Sequence, residues 1–432
     1  MNLITRSKMR YKKIIDLLHE GVLLEVQDGN HGENHPKSTD YVPDGIPFVM
    51  IKDITNNRLD LEHCHFISNE QAKKLRIGFS KPGDVLLTHK AVLGRTAIVP
   101  NDYSSVIITP QITYYRIGDS KKLDPLFLKY AFLSPKFQET IDSGYDQSTR
   151  KYVSITAQKE LEVPYPPIEE QYNISKILGS LDDKIELNRQ MNETLEAMAR
   201  AIFQSWFVDF DPVRAKSEGR DSGLPREIAA LFPYEIVEVD GREVPKGWEV
   251  KPLSDSFDVR MGQSPPGTTY NENGDGISFF QGRTDFGFRY PSVRVYCTAP
   301  TRFAEAGDTM VSVRAPVGDI NLAPEKCCIG RGVAAVRHKT GSRSFTYYQM
   351  LSFKDIFALF ESEGTVFGSI AKTGFNSIEC ITPPDEIVKK FEEIVFPIDQ
   401  KIENNEQQSF SLAQIRDALL PKLMSGELKI KI

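Results

Sequence analysis

His63, Cys64 and His65 are the residues whose types and spacing come closest to a metal site. On a β-strand the two histidines share a face, because successive side chains point to opposite sides. Zinc sites need three or four ligands, and the sequence offers no third and fourth ligand at a usable spacing. We therefore predict a surface strand and no metal site here, with a zinc site as the alternative.

Motifs that carry enzymatic chemistry are missing from the sequence. It has no Walker-type phosphate loop, no HExxH and no GxSxG. The Pro-Pro pairs follow Tyr165, Ser264 and Thr382, so the Asn/Asp-Pro-Pro-aromatic motif of DNA amino-methyltransferases is missing too. We predict a recognition protein without catalytic residues. The alternative is a self-sufficient enzyme that methylates or cleaves DNA, and the missing motifs argue against it.

Charge is distributed unevenly along the chain. The formal net charge is −6, which by itself argues against a general nucleic-acid binder. Residues 281–343 hold ten Lys/Arg and five Asp/Glu, a balance of +5, whereas residues 168–211 hold four and nine, a balance of −5. This pattern is compatible with basic lobes that bind DNA beside an acidic spacer. An ordinary patchy surface is the alternative.

The composition indicates a cytoplasmic protein. The chain has no apolar run near the ~18 residues that a membrane span requires, and we expect no membrane association. The cysteines are odd in number and lack metal-type spacing, which is typical of buried thiols in a reducing compartment. They are Cys64, Cys297, Cys327, Cys328 and Cys380.

An internal repeat organises the chain. Residues 166–203 return as residues 383–420 without a gap, and 12 of the 38 positions are identical. The offset of 217 residues is far longer than the repeat of a solenoid, which is roughly 20–50 residues. The chain therefore consists of two halves, each a variable globule followed by a similar helical segment.

Both helical segments carry a seven-residue apolar pattern. Breakers at Gly179-Ser180 and at Pro397 predict a short helix, an interruption and then a long helix in each copy, with Ser180 and Asp183 as a capping box. A seven-residue stripe needs a partner stripe, and the simplest partner is the other copy. The predicted seam consists of Leu181, Ile185, Asn188, Leu195 and Ile202 with Ile398, Ile402, Asn405, Leu412 and Leu419. By position, Met198 corresponds to Ile415.

Asn188 and Asn405 occupy equivalent positions of the predicted seam. A buried Asn costs stability but fixes the register of two helices. The alternative is that both side chains lie in water at the edge of the seam.

The two globules show the same order of short, strand-like runs. In the first they are 45–51, 84–89, 96–100, 105–109 and 112–117, followed by a helix near 124–134. In the second, residues 275–279, 306–311, 314–315 and 318 resemble residues 44–48, 82–87, 90–91 and 94. We predict that the globules share a mixed α/β fold but differ in surface residues.

The predicted fold class is α+β, with two mixed α/β globules separated by two long antiparallel coiled-coil helices in a pseudo-two-fold repeat. The predicted segments are a first globule (1–165), a first helical region (166–215), a linker with one short helix (216–247), a second globule (248–382) and a second helical region (383–432).

Several segments resemble the DNA-specificity subunits of type I restriction–modification systems. They are PPIEEQ at Pro166, LDDKIELN at Leu181, ARAIFQSWFVDFDPV at Ala199, GQSPPGTTYNENGDGISFFQG at Gly262 and LLPKLMSGEL at Leu419. The resemblance covers nearly the whole chain and is weakest in residues 1–40. The second copy has Asp385-Glu386-Ile387 in place of the full Ile168–Gln171 motif, so the two partner-facing surfaces are unequal.

The resemblance implies that each globule reads one half of a split double-stranded DNA target and that the helices set the number of unread base pairs. It also implies that two methylation subunits dock on the helices and that a restriction and translocation subunit can join. No cofactor is expected on this chain, because S-adenosylmethionine would be bound by the methylation subunits. The acidic helices suit protein docking better than DNA contact.

Reading bases requires Arg, Lys, Gln, Asn or hydroxyl side chains at groove edges, and further basic groups on phosphates. The loops after the matched strands are the best candidates, although any single residue could equally be a solvated surface side chain. In the first globule the candidates are Lys52, Thr88, His89, Lys90, Arg95, Gln147, Ser148, Thr149, Arg150 and Lys151. In the second they are Gln281, Arg283, Ser312, Arg314, Ser369 and Lys372.

Two other functions stay open at this point. One is a coiled-coil interaction scaffold without a DNA role, against which the basic, variable globules argue. The other is the specificity subunit of a system that only methylates.

Overall fold

The computed structural model describes residues 9–143, 152–362 and 368–430. The chain forms two compact units, one made of residues 1–188 with 407–432 and the other of residues 189–406. Each unit contains one globule and a part of each of the two long helices.

The first globule consists mainly of short strands and five short helices in the described residues. Its strands are β1 (Tyr11–Lys13), β2 (Leu23–Asp28), β3 (Tyr41–Val42), β4 (Ile46–Val49), β5 (Ile54–Thr55), β6 (Arg58–Leu59), β7 (His65–Ile67), β8 (Phe79–Ser80), β9 (Val85–Lys90), β10 (Val92–Ile98), β11 (Val106–Ile108), β12 (Ile112–Ile117) and β13 (Glu162–Pro164). Its helices are α1 (Ile14–His19), α2 (Asn69–Lys73), α3 (Pro125–Leu133), α4 (Pro135–Ser143) and α5 (Ile155–Glu160).

The rest of the chain begins with a long helix, continues through a short segment, and then forms a second globule with the same order of strands as the first. Its helices are α6 (Ile168–Phe207), α7 (Asp211–Ser217), α8 (Arg226–Ala229), α9 (Leu253–Ser256), α10 (Arg343–Ser352), α11 (Lys354–Ser362), α12 (Lys372–Asn376) and α13 (Asp385–Ser425). Its strands are β14 (Ile236–Val239), β15 (Arg242–Pro245), β16 (Glu249–Pro252), β17 (Phe257–Met261), β18 (Tyr270–Asn271), β19 (Ile277–Phe280), β20 (Tyr296–Cys297), β21 (Phe303–Ala304), β22 (Thr309–Val313), β23 (Val317–Leu322), β24 (Cys327–Ile329), β25 (Val333–His338) and β26 (Glu379–Thr382).

The two globules have the same sheet topology. The first contains a four-stranded antiparallel sheet, β10-β9-β12-β2, and a five-stranded sheet, β3-β7-β4-β11-β8. The second contains β23-β22-β25-β17 and β18-β20-β19-β24-β21 in the same order. Each five-stranded sheet has one parallel pair, with Ile107 opposite Phe48 and Cys328 opposite Phe279. The prediction that the globules share a mixed α/β fold is confirmed.

The segment predicted as a linker, 216–247, is more ordered than expected. It contains the predicted short helix, α8, and in addition the hairpin β14–β15. Phe232 and Val244 of this segment are buried in the core of the second unit, together with Trp248. In the hairpin Glu238 and Glu243 are exposed and paired, whereas Val244 is buried opposite the half-buried Val237, a pattern that the sequence reading did not assign to strands.

Neither long helix is broken, so the predicted interruptions are wrong. In α6 the Ser180 Oγ donates to the Ile177 carbonyl, 2.8 Å away, instead of capping a new helix. Leu126 packs beside Gly179, where an added Cβ would lie 3.1 Å from its Cδ2, so the glycine gives room to a neighbour. Pro397 lies inside α13, where the apolar face that includes the buried Val395 and Ile402 outweighs the usual cost of about 3 kcal/mol.

The two long helices run antiparallel within each unit. In the first unit the Asn188 amide donates to Gln408 Oε1, at 2.9 Å, and to Ser409 Oγ, at 3.2 Å. In the second unit the Asn405 amide donates to Asn192 Oδ1 at 2.8 Å. The 217-residue offset maps Asn188 and Ser409 onto Asn405 and Asn192, so the repeat reproduces this contact between helices.

Asn188 and Asn405 are 0% and 3% exposed, which excludes the alternative that both lie in water. Ile402 is also buried, and the other seven predicted seam residues are half-buried. Asn192, which the heptad pattern did not indicate, belongs to the same polar contact. That these residues set the register of the helices stays a prediction.

The His63-Cys64-His65 segment does not form one strand, because β7 begins at His65. His63 is exposed and its Nδ1 lies 3.0 Å from the Asp60 carboxylate, whereas the Cys64 thiol is buried. The His65 ring stacks on Tyr41, with ring centroids 4.2 Å apart. Within the ranges that the structure describes, no group of three or more His, Cys, Asp or Glu residues is arranged to hold a metal ion.

We expect the stability of the second unit to fall in mild acid because of His338. This side chain is buried at the end of β25, with its ring 4.8 Å from Phe257 and 5.2 Å from Phe345. Burial lowers the pKa of His338 from 6.5 to about 4, against the opposing charge of Asp385. The unfolded chain takes up a proton below pH 6.5 and the folded protein does not, so the stability present above pH 6.5 is lost as the pH falls towards 4.

The linkage corresponds to about 2 kcal/mol of unfolding free energy between pH 7 and pH 5. Urea denaturation measures the free energy of unfolding at the two pH values. From pH 7 to pH 5 it should fall by about 2 kcal/mol less in His338→Gln than in the wild type. The matched control is His31→Gln, since His31 is exposed, and it should keep the wild-type dependence. Equal pH dependence in His338→Gln and the wild type would contradict the assignment.

Candidate DNA interface

Each globule presents a basic residue at the tip of the same hairpin. Lys90 is the last residue of β9 and precedes Ala91 in the turn to β10. Arg314 precedes Ala315 in the turn from β22 to β23. Both basic side chains are exposed, and both alanines have positive φ angles, 67° and 48°. A non-glycine residue in this region is strained, and such strain clusters at functional sites. The two hairpins therefore have the same backbone arrangement but carry different basic side chains at the turn.

The backbone next to each basic residue is paired with a second segment. Lys90 forms a β-bridge with Tyr152, whose ring lies 5.8 Å from the Lys90 Nζ. Arg314 forms the equivalent bridge with Ser369, which is exposed. The structure therefore brings the predicted residues Arg314 and Ser369 together. The predicted residues Gln147, Ser148, Thr149, Arg150 and Lys151 lie outside the described residues.

Thr88 and Ser312 are fully buried, so we withdraw them as base-contacting side chains. The Thr88 Oγ1 accepts a hydrogen bond from the Arg95 amide at 2.9 Å. The Ser312 Oγ accepts one from the Asp319 amide at 2.9 Å and donates to the Pro316 carbonyl. Both hydroxyls thus bridge the two strands of a hairpin and hold its tip in place.

His89 is also fully buried and is withdrawn as a DNA contact. Its Nδ1 lies 3.0 Å from the Val153 carbonyl and its Nε2 lies 3.5 Å from the Asp28 carboxylate. Burial lowers the pKa of His89, against the effect of Asp28. Both faces of β9 are buried up to His89, and only Lys90 at the end of the strand is exposed.

A one-turn helix follows the first strand of the parallel pair in each globule, and it lies against the hairpin. In the first globule the turn is Ile51–Asp53, and the Arg95 guanidinium donates to the carbonyls of Ile51, at 3.3 Å, and Ile54, at 3.2 Å. Lys52 is exposed on this turn, with its Nζ 3.3 Å from His65 Nε2. Lys52 on this turn therefore lies beside the β9–β10 hairpin, which carries Lys90 and Arg95.

In the second globule an acidic residue of the hairpin, and not a basic one, lies against the equivalent turn. Arg283 begins the equivalent turn, Arg283–Asp285, and its Nη1 donates to Asp319 Oδ2 at 2.6 Å. The Arg283 side chain is 52% exposed. It lines a cavity of about 540 Å³ with Asp319, Asn321 and neighbouring residues. The position held by Arg95 in the first hairpin is held by Asp319 in the second, so the surfaces differ in chemistry on one frame.

Gln281 and Lys372 are exposed beside basic residues that the sequence reading missed. The Gln281 carbonyl accepts from the Gly332 amide at 3.1 Å, next to the exposed Arg331. Lys372 lines a cavity of about 530 Å³ with Arg260 and Arg302. The excess of basic residues in 281–343 pointed to two of these arginines, but no motif singles out any one of them.

The duplicated globule and its hairpins correspond to a known domain. Residues 23–197 and 245–413 match the family model of the type I restriction modification DNA specificity domain. The chain belongs to this DNA specificity family. The predicted family and fold class are confirmed, since each globule with part of its following helix makes one copy of the domain.

Relatives in this DNA specificity family match along most of the chain. The chain is 30% identical to the type I restriction enzyme HindI specificity subunit of Haemophilus influenzae, covering 89% of this chain and 94% of that protein. It is 28% identical to the MjaIX specificity subunit of Methanocaldococcus jannaschii, covering 91% and 89%. The type I restriction–modification S subunit from M. genitalium has the same fold, with a TM-score of 0.59 at 15% identity and 98% of both chains covered.

No helix in the described part of this DNA specificity protein is both long and apolar enough to cross a membrane. The longest helices, α6 and α13, carry charged residues throughout their length.

Proposed function

We propose that this chain is the non-catalytic specificity subunit of a type I restriction–modification complex and that each globule reads one half of a split DNA target. The observation that carries the proposal is the pair of equivalent hairpin-and-turn surfaces with different side chains. One surface presents Lys52, Lys90 and Arg95, and the other presents Arg283 and Arg314 beside Asp319. A common frame with different chemistry suits two different half-sites.

Arg283 and Arg314 are the strongest candidates for base readout, because a guanidinium can bond both acceptors of a guanine in the major groove. The exposed lysines and arginines around them suit phosphate oxygens, which fix register without reading sequence. This division predicts that salt weakens binding as a whole, whereas base preference depends on a few side chains.

The chain binds DNA and assembles with other subunits of the system. We assign two methylation subunits to the helices, with S-adenosylmethionine bound by them, and a restriction and translocation subunit that joins this complex in the cytoplasm. Met198 and Ile415 support two docking surfaces, because they are equivalent in the repeat and are 51% and 49% exposed. An apolar side chain at the same exposed position of both helices suits protein partners better than DNA.

The function is tested by co-expressing the chain with its methylation subunit in a host without such systems and mapping methylated bases by long-read sequencing. We expect a new split motif that disappears without this chain. Exchanging residues 1–165 for the first recognition domain of a relative should then alter one half of the motif. A stable complex that produces no methylation would contradict DNA reading, and the failure to form any complex would favour the scaffold function.

Replacing Arg283 or Arg314 with alanine is expected to weaken binding or relax one half-site by about 1–3 kcal/mol. Titration of labelled duplexes that carry single substitutions in each half-site measures the change. The control is Arg242→Ala, because Arg242 is an exposed arginine of the β14–β15 hairpin, paired with Glu379. Unchanged affinity and unchanged sequence preference in both variants would remove these residues from the site.

A further inference from the structure

Arg289 is a fully buried arginine in the second unit, six residues after Arg283. Its Nη1 donates to Asp399 Oδ1 at 2.6 Å, and its Nη2 donates to the Tyr348 hydroxyl. Its Nε lies 3.6 Å from Glu196 Oε2. The guanidinium therefore links a loop of the globule to α6 through Glu196, to α13 through Asp399 and to α10 through Tyr348.

The surroundings of Arg289 hold it in one orientation. Its guanidinium lies over the Tyr347 ring, 4.3 Å from the centroid, and the Tyr348 hydroxyl also donates to Asp399 Oδ1 at 3.0 Å. Burial raises the pKa of Glu196, and Arg289 opposes that shift. A buried charge without its partner is costly, so the guanidinium and the carboxylates require one another.

The next residue of the loop forms a second anchor. The Tyr290 hydroxyl accepts from Arg343 Nη2 at 2.6 Å, and Arg343 is 3.2 Å from Glu403 on α13. Two consecutive residues thus attach this loop to the same helix.

The same loop is tied to the candidate reading surface. The Arg289 carbonyl accepts from the Leu322 amide at 2.8 Å, and Gly287 exchanges two hydrogen bonds with the Asn321 side chain, at 3.1 and 3.0 Å. Two residues before Asn321 on β23 is Asp319, the partner of Arg283. The short loop between Arg283 and the buried Arg289 is therefore hydrogen-bonded along β23.

In the first unit the equivalent aspartate has different partners. Asp182 is the repeat equivalent of Asp399, and it accepts from the Tyr130 hydroxyl at 2.6 Å. Its arginine partner is Arg416, which lies on α13, at 2.8 Å. A second cation, Lys129 of α3, has its Nζ 3.7 Å from Asp182 Oδ2. In that unit both cations come from helices, so the contact does not involve a loop of the reading surface.

We propose that Arg289 is a positioning residue for sequence recognition, which holds the reading loop 281–285 at a fixed place on the helix pair and so sets how strictly the second half-site is read. The inference rests on the proposed function. It distinguishes Arg289, which is fully buried and belongs to the loop that follows Arg283, from Arg416, which lies on α13 with its side chain 24% exposed.

The test compares Arg289→Met with Arg416→Met in the full methylation complex, by mapping methylated bases and by titrating duplexes with single mismatches in either half-site. For Arg289→Met we expect at least a tenfold loss of discrimination in the second half-site and wild-type discrimination in the first. For Arg416→Met we expect both half-sites to be read as in the wild type. Arg289→Lys, which keeps the charge, should recover part of the discrimination.

A purely structural role would affect both half-sites in proportion to lost stability, so the melting temperature of each variant is measured in parallel. If Arg289→Met does not fold, Tyr348→Phe replaces it, because it removes one partner of the guanidinium and keeps the ring; a selective loss in the second half-site supports the proposal and equal reading overturns it. A folded Arg289→Met that discriminates like the wild type overturns the positioning role alone. A wild-type complex that produces no split motif would overturn the proposed function and this role with it.

Discussion

Replacing Trp206 with alanine is expected to lower the free energy of unfolding of the second unit by about 3–5 kcal/mol. Trp206 is buried near the end of α6, edge-on to Phe232 at 5.1 Å and to Phe391 of α13 at 6.1 Å. Its neighbour Phe207 contacts Trp248 and Phe345 with ring centroids 6.0 and 5.0 Å apart. This cluster joins both helices, the segment before the globule and the globule itself, so a cavity there weakens every contact at once.

The chain has two tryptophans, and both belong to this cluster. The fluorescence of Trp248 therefore reports the unfolding of the second unit in Trp206→Ala during a urea titration, and far-ultraviolet circular dichroism follows the whole chain. The control is Phe410→Ala, which removes a mostly exposed ring from α13 and should change the free energy of unfolding by less than about 0.5 kcal/mol. A loss below about 1 kcal/mol in Trp206→Ala would mean that the cluster is not what holds the unit together.

Much of the fold could be predicted because it depends on periodic patterns and on the repeat. In the first globule the short strand-like runs matched β4, β9, β11 and β12, and the helix predicted near 124–134 matched α3, whereas β2 was not predicted. The run predicted at 96–100 begins too late, since β10 starts at Val92 and continues through Gly94. Gly94 has a φ of 82° in a bulge and lies against the Gln138 side chain. A glycine in such a bulge has the same appearance in the sequence as a glycine in a turn.

The helix interruptions were mispredicted because local breakers were weighed without the surface that the helices bury. Gly179 and Pro397 each disfavour a helix by about 1–3 kcal/mol, which a buried face of many residues exceeds. Burial that the sequence does not show also explains the wrong predictions at the candidate site. Thr88, His89 and Ser312 have side chains that suit base contacts, and only the folded structure shows that all three are buried.

Arg289 could not have been predicted from its neighbours in the sequence. Its partners are Glu196, Tyr348 and Asp399, which are 93, 59 and 110 residues away. An arginine in a loop of a basic segment is more often a surface residue, and only the fold brings two carboxylates to this one.

Adding one heptad to both long helices is expected to abolish methylation at the original spacing while both half-sites stay the same. In the second unit Asn192 faces Asn405, so the insertions belong between Asn192 and Glu193 and between Asn404 and Asn405. In an antiparallel pair these two places lie in the same layer, and seven residues preserve the apolar seam. The polar contact between Asn192 and Asn405 stays intact on one side of the insertion.

Seven helical residues add about 10 Å, which corresponds to roughly three base pairs of B-DNA. The inserted heptad turns the helix surface by only about 20°, whereas three base pairs turn the duplex by about 100°. We therefore expect a motif with a spacer about three base pairs longer that is methylated less efficiently than the wild-type motif. The measurement is methylation mapping in the complex.

A seven-residue insertion in the exposed loop between Arg220 and Asp221 is the control and should keep the original spacing. Methylation that continues at the original spacing after both helices are lengthened would contradict the role of the helices as the spacer, because two helices of one register cannot both grow by two turns without moving what they carry.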